Sequence, residues 1–97
     1  MGTLISKEKQ EIICNKAIRT FGEHTQMIKT MEELGELTRA ISRVLLGQGE
    51  ERIENLHEEI ADVEIMLMQL KGMCYVSKPL VDDWKAKKFK KLEGVVW

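Results

Sequence analysis

The chain has 97 residues, with 15 Lys or Arg and 16 Asp or Glu, which gives a net charge of −1 at pH 7. This balance excludes a protein that binds nucleic acid through an overall positive charge, and the length predicts one domain over residues 1–97. One proline and 5% aromatic residues disfavour an all-β fold, and a chain this short buries only about 60–65% of its unfolded surface, so we expect it to need a partner subunit.

Glycines divide the chain into four predicted helices. Ser6 is a candidate N-cap for the first helix and Gly22 ends it, while Gly47 and Gly72 end the second and third. Ser77 caps the fourth helix and Pro79 lies in its first turn. The predicted ranges are about residues 6–20, 24–46, 51–71 and 78–92, with a loop over 47–50. We therefore expect an all-α, four-helix bundle-like fold in which the second and third helices are antiparallel and oligomerisation completes the core.

Each of the two central helices carries an apolar stripe at the helical period, and we expect both stripes to face the core. On the second helix the stripe consists of Met27, Leu34, Leu37, Ile41, Val44 and Leu45. On the third helix it consists of Ile53, Leu56, Ile60, Val63, Leu67 and Leu70.

Two pairs of acidic residues are the feature of the sequence that most strongly indicates a functional site. Glu33-x-x-Glu36 lies on the second helix and Glu59-x-x-Asp62 on the third. With about 100° per residue, the two acids of each pair lie about 100° and 160° from the centre of their own apolar stripe, on the same side in both helices. Two such helices packed side by side would bring four carboxylates to one place.

A solvated helix face is the common explanation for a single Glu-x-x-Glu pair. Surface acids of that kind usually have Lys or Arg four residues later, but here Leu37 and Ala40 follow the first pair, and Val63 and Met66 follow the second. Clustered carboxylates repel one another unless a cation neutralises them. Oxygen-only ligands suit Mg²⁺, with Mn²⁺ as a possible substitute, better than Zn²⁺ or copper.

The phrases MEELGELTRAI and LHEEIADVEIML, in this order and joined by a short glycine-containing loop, resemble the two motif helices of the MazG-like nucleoside triphosphate pyrophosphohydrolases. The resemblance spans about residues 21–70. It implies an all-α bundle whose subunits pair as a homodimer or homotetramer to build the site. It also implies Mg²⁺ ligation by the four acids, which are Glu33, Glu36, Glu59 and Asp62.

The implied reaction hydrolyses a nucleoside triphosphate to the monophosphate and pyrophosphate, with Glu33 or Glu36 as the candidate base. Triphosphate also needs positive side chains, and the candidates are Lys29, Arg39, Arg43 and Lys88. Two other interpretations stay open. The first is a catalytically silent helical interaction module. The second is a nucleic-acid-associated protein that uses its lysine-rich last helix, and the net charge of −1 argues against this partner.

The sequence predicts a cytoplasmic protein that does not associate with membranes. No secretory signal is apparent, and no apolar run approaches the ~18 residues that a membrane span needs. Cys14 and Cys74 form no C-x-x-C motif, which favours free thiols in a reducing compartment.

Overall fold

The computed structural model describes residues 4–47 and 49–97. Within these residues the only regular elements are four α-helices: α1 (Lys7–Phe21), α2 (Glu23–Leu46), α3 (Glu51–Lys71) and α4 (Lys78–Val96). The all-α class predicted from the sequence is therefore confirmed. None of these helices combines the length and the apolar content that a membrane crossing requires, within the described part of the chain.

The helix boundaries follow local chemistry. The hydroxyl of Ser6 accepts a hydrogen bond from the Lys9 backbone N–H at 3.1 Å, and the hydroxyl of Ser77 accepts one from Leu80 at 3.4 Å. Gly47 ends α2 with φ 67°, a left-handed conformation that glycine adopts without steric cost. Gln48, which the predicted loop includes, lies outside the described residues. The main difference is that α4 extends four residues beyond its predicted end.

Helices α2 and α3 are antiparallel and pack along a seam that is largely polar. The amide of Gln26 donates a hydrogen bond to Gln69 at 2.8 Å near one end of the seam, and Glu33 meets Asp62 seven residues further along each helix. The buried residues of the two helices are Gln26, Thr30, Glu33, Ala40, Glu59, Val63, Met66 and Gln69. The acid-bearing flanks of the two helices therefore face each other.

Most members of the two apolar stripes are not buried within one chain. Leu34 is 43% exposed, Ile41 46% and Ile60 41%, and Leu45 at the end of α2 is 83% exposed. Val63 is the one stripe residue that is buried among those described. Because the seam lies about 100° away from Leu34 around α2, turning the acids inward leaves the stripe on the outside.

Helix α1 packs on α3 and runs in the same direction. Cys14 is buried with its Sγ 4.0 Å from the Ile65 carbonyl oxygen, and Ile18 is buried one turn later. The carboxylate of Glu23 accepts hydrogen bonds from the backbone N–H of Cys74 at 2.9 Å and from its thiol at 3.1 Å. These bonds lower the pKa of Glu23 and tie the turn after α3 to the start of α2. Both cysteines are free, and Cys74 is exposed.

Helix α4 lies entirely within the described residues, and none of its side chains is buried. Trp84 is 59% exposed and Phe89 is 64% exposed, so these aromatic residues do not pack the last helix firmly against the rest of the chain. The Cα radius of gyration is 16.0 Å. A compact domain of this length has a radius of about 12.5 Å, so the four helices do not close into a compact unit within one chain.

Candidate metal centre

The structure brings carboxylates of both acidic pairs together between α2 and α3. One carboxylate oxygen from each of Glu33, Glu59 and Asp62 lies within 4.8 Å of the others. Glu36 is close enough for its negative charge to act on Glu59. We call these four residues the carboxylate cluster. Glu33 and Glu59 are both 8% exposed, Asp62 is half-buried and Glu36 is exposed.

The local sequence makes this close approach possible. Within each pair the acids are three residues apart, so that they lie on neighbouring positions of one helix surface. Ala40, two turns after Glu33, is 1% exposed, and its small side chain lets α3 approach α2 closely. On α3, the apolar side chains of Val63 and Met66 are 6% and 5% exposed and follow the two acids by four residues. Small and apolar residues therefore lie beside the acids on both helices.

Like charges and burial raise the pKa of the Glu59 carboxyl. Removal from water disfavours its ionised form, and the negative charges of Glu36, Asp62 and Glu33 raise the pKa further. In the metal-free protein, repulsion among the negative charges of the cluster therefore lowers the free energy of unfolding.

Each buried carboxylate has one engaged oxygen and one without a partner. Lys29 Nζ lies 3.4 Å from Glu33 Oε1, and Asn55 Nδ2 lies 3.4 Å from Glu59 Oε1. The Oε2 atoms of Glu33 and Glu59 are buried and have no hydrogen-bond partner among the described residues. A buried carboxylate oxygen without a donor is costly, and a divalent cation is one species that would satisfy it.

Sequence reasoning missed Asn55. It lies four residues before Glu59, as Lys29 lies four residues before Glu33, so alignment of the two acidic pairs with the residues that precede them carries a signal for it. Positions four apart share a helix face, which explains why both side chains reach the following acid.

The candidate substrate-binding residues are distributed over two helices. Lys29, with 53% of its side chain exposed, is the only one of them that forms an ion pair with the cluster among the described residues. Arg39 and Arg43 are exposed on α2. Lys88 is exposed on α4, where its ammonium lies 5.9 Å from the ring centre of Trp84. One chain therefore places three of the four cations on the helix that carries Glu33 and Glu36.

The donor set fits a hard divalent cation. All four side chains offer carboxylate oxygens, and two of these oxygens are buried without donors. Mg²⁺ is bound through a small number of carboxylates and keeps waters and substrate phosphates as further ligands. The exposed side of the cluster, at Glu36, leaves room for such ligands.

Comparison of this chain with protein-family models, with curated proteins and with solved structures gives no match in any of the three.

We expect Glu59→Gln to stabilise the metal-free protein near pH 7 but not below pH 4.5. Because the folded-state pKa of Glu59 is raised above its ordinary 4.5, the wild type loses stability as the pH rises through that folded-state value. Below 4.5 Glu59 is protonated in both states, so the advantage of Gln disappears. The measurement is the melting temperature of both proteins in EDTA across this pH range, with a gain of several degrees near pH 7.

Glu58→Gln is the matched control, because Glu58 is the exposed neighbour of Glu59 on the same helix. Its melting temperature should follow that of the wild type across the whole pH range. An equal gain for both variants would mean that the stabilisation comes from general charge and not from the carboxylate cluster.

Proposed function

We propose that this chain is a Mg²⁺-dependent nucleoside triphosphate pyrophosphohydrolase. The observation that carries the proposal is the meeting of two acidic pairs from two helices, with buried carboxylate oxygens that lack donors. The resemblance of both motif phrases to the MazG-like family supports the choice of nucleoside triphosphate as substrate. The proposed holders of Mg²⁺ are Glu33, Glu36, Glu59 and Asp62.

Bound Mg²⁺ would supply charge neutralisation of the triphosphate and polarisation of its phosphoryl oxygens. We propose that Glu36 is the base that takes a proton from the attacking water. It is exposed and can reach water, whereas Glu33 is buried with one oxygen on Lys29. Attack at the α-phosphorus then yields the monophosphate, and pyrophosphate leaves.

The exposed flank of α2 has the charge pattern that a polyphosphate chain needs. Lys29, Glu36 and Arg43 are spaced by seven residues and lie within about 20° of one line along the helix. Arg39 lies one turn from Glu36 on the neighbouring position. Cations on both sides of the acids would therefore hold the phosphates that extend beyond the cluster.

We propose that the working form is a homodimer or homotetramer. The apolar stripes of α2 and α3 and the aromatic side chains of α4 are exposed in one chain, and the radius of gyration is larger than that of a compact domain. Burial of these surfaces against a second copy would complete the core. Lys88 on α4 would then reach the substrate from a neighbouring subunit.

The direct test is hydrolysis of the common ribo- and deoxyribonucleoside triphosphates with Mg²⁺. We expect at least one of them to give monophosphate and pyrophosphate in equal amounts, and we expect EDTA to stop the reaction. Release of diphosphate and orthophosphate would contradict the proposed bond cleavage. No turnover, together with no rise in melting temperature on addition of Mg²⁺, would favour a silent interaction module, because a cation that binds only the folded state raises that temperature.

Glu36→Gln should lower pyrophosphate release by about 100-fold or more, because even residues that only support metal ligands typically cost 10–100-fold. Its helical content, measured by circular dichroism, should stay that of the wild type, since Glu36 is exposed. Glu32→Gln is the control, because Glu32 is also exposed and precedes Glu36 by four residues on α2. Near-normal release from Glu36→Gln would remove this residue from the site.

Ile41→Lys should break the proposed subunit contact. Light scattering should show the wild type at a multiple of 11.2 kDa and the variant at 11.2 kDa, because a charge cannot be buried in the apolar interface without a partner. Ile5→Lys is the control, because Ile5 is 48% exposed, close to the 46% of Ile41, and lies outside both stripes. A monomeric wild type at micromolar concentration would overturn the oligomer.

A further inference from the structure

The two halves of the carboxylate cluster share a pattern that goes beyond the four acids. On α2 the order is Lys29, Glu33, Glu36, and on α3 it is Asn55, Glu59, Asp62, with the same spacings of four and three. In each half, the first residue contacts Oε1 of the second at 3.4 Å. In each half, Oε2 of that acid is buried and has no hydrogen-bond partner within the described ranges.

We propose that Asn55 is a positioning residue for the metal site. Its amide holds one oxygen of Glu59, so that the other oxygen is presented to the cation. This inference rests on the proposed function, because the orientation of Oε2 matters chemically only when a cation binds there. Lys29 is the counterpart of Asn55 on α2.

The chemistry of the amide fixes which way Asn55 points. An ionised carboxylate only accepts hydrogen bonds, so the NH₂ group of Asn55 must face Glu59 and not its carbonyl oxygen. At 3.4 Å the bond is long, so we expect its contribution to stability to be small. Orientation of a ligand by a neighbouring donor is the usual role of residues around a metal site.

The difference between the two helices gives Asn55 a distinct role. Lys29 cancels part of the negative charge of Glu33, whereas Asn55 is neutral and leaves the charge of Glu59 intact. Glu59 therefore keeps the stronger attraction for a divalent ion while its geometry is held. A charged donor at position 55 would reduce that attraction, and a hydrophobic residue would leave the carboxylate free to rotate.

The location of Asn55 argues against an incidental surface contact. It is half-buried and lies inside α3, where asparagine is a poorer helix former than alanine. Its side chain lies on the flank of α3 that carries Glu59, and its amide contacts that carboxylate. A residue that disfavours its own helix and faces the carboxylate cluster is expected to have a function there.

The test is the Mg²⁺ dissociation constant of the full chain, measured by calorimetry, with Mn²⁺ electron paramagnetic resonance as a second readout of ligand geometry. Asn55→Ala and Asn55→Asp should each weaken Mg²⁺ binding by about 10–100-fold, the range typical of residues that orient metal ligands. Asn55→Asp is informative because it adds negative charge, which by simple attraction would strengthen binding. Asn55→Gln, which keeps the amide donor, should recover part of the affinity.

Asn15→Ala is the matched control, because Asn15 is an exposed asparagine in the interior of α1, away from the cluster. It should bind Mg²⁺ like the wild type. Wild-type affinity in Asn55→Ala, or tighter binding in Asn55→Asp, would overturn the role of Asn55. If Asn55→Ala binds Mg²⁺ like the wild type but Glu59→Gln binds Mg²⁺ weakly, the role of Asn55 is overturned and the proposed metal site stands. Unchanged affinity in Glu59→Gln would overturn both proposals.

Discussion

Repulsion among four carboxylates between α2 and α3 is the constraint on which the rest of this structure depends. Glu33 and Glu59 are nearly buried, and three oxygen atoms from two helices lie within 4.8 Å of one another. Such an arrangement opposes the packing of the helices that create it. The two helices are held together beside it by small and apolar residues such as Ala40 and Met66, and further along by the bond from Gln26 to Gln69.

The same constraint explains why the molecule has two unlike surfaces. A helix has one narrow face for each neighbour, and on α2 and α3 that face is occupied by the acids and amides of the seam. The apolar stripes are turned about 100° away, and most of their residues stay exposed in one chain. A second copy that covered the stripes would bury apolar area without disturbing the carboxylate cluster. In the proposed enzyme, assembly and metal binding thus use different faces of the same two helices.

In the proposed metal centre, one residue beside the acids acts through its charge and another acts by orienting a carboxylate. Lys29 compensates part of the negative charge on α2, and Asn55 orients a carboxylate on α3 without changing the charge. The lysines around the cleft of about 790 Å³ between α1, α3 and α4 are separate from this centre, since none of the four acids lines that cleft. The proposed metal ligands are therefore confined to the seam between α2 and α3, and from α4 only Lys88 of a neighbouring subunit is proposed to reach the substrate.

The sequence by itself determined the local features of this protein. Caps at Ser6 and Ser77 and the glycine stop at Gly47 gave the helix boundaries, because these depend on hydrogen bonds within a few residues. Helical periodicity also determined that the acids of each pair share one flank. Only the tertiary structure decided which face of α2 and α3 turns inward, because an amphipathic stripe can be buried within the chain or against another copy. Asn55 and the exposed face of α4 were decided in the same way, since their contacts depend on how separate helices pack and not on the spacing along one helix.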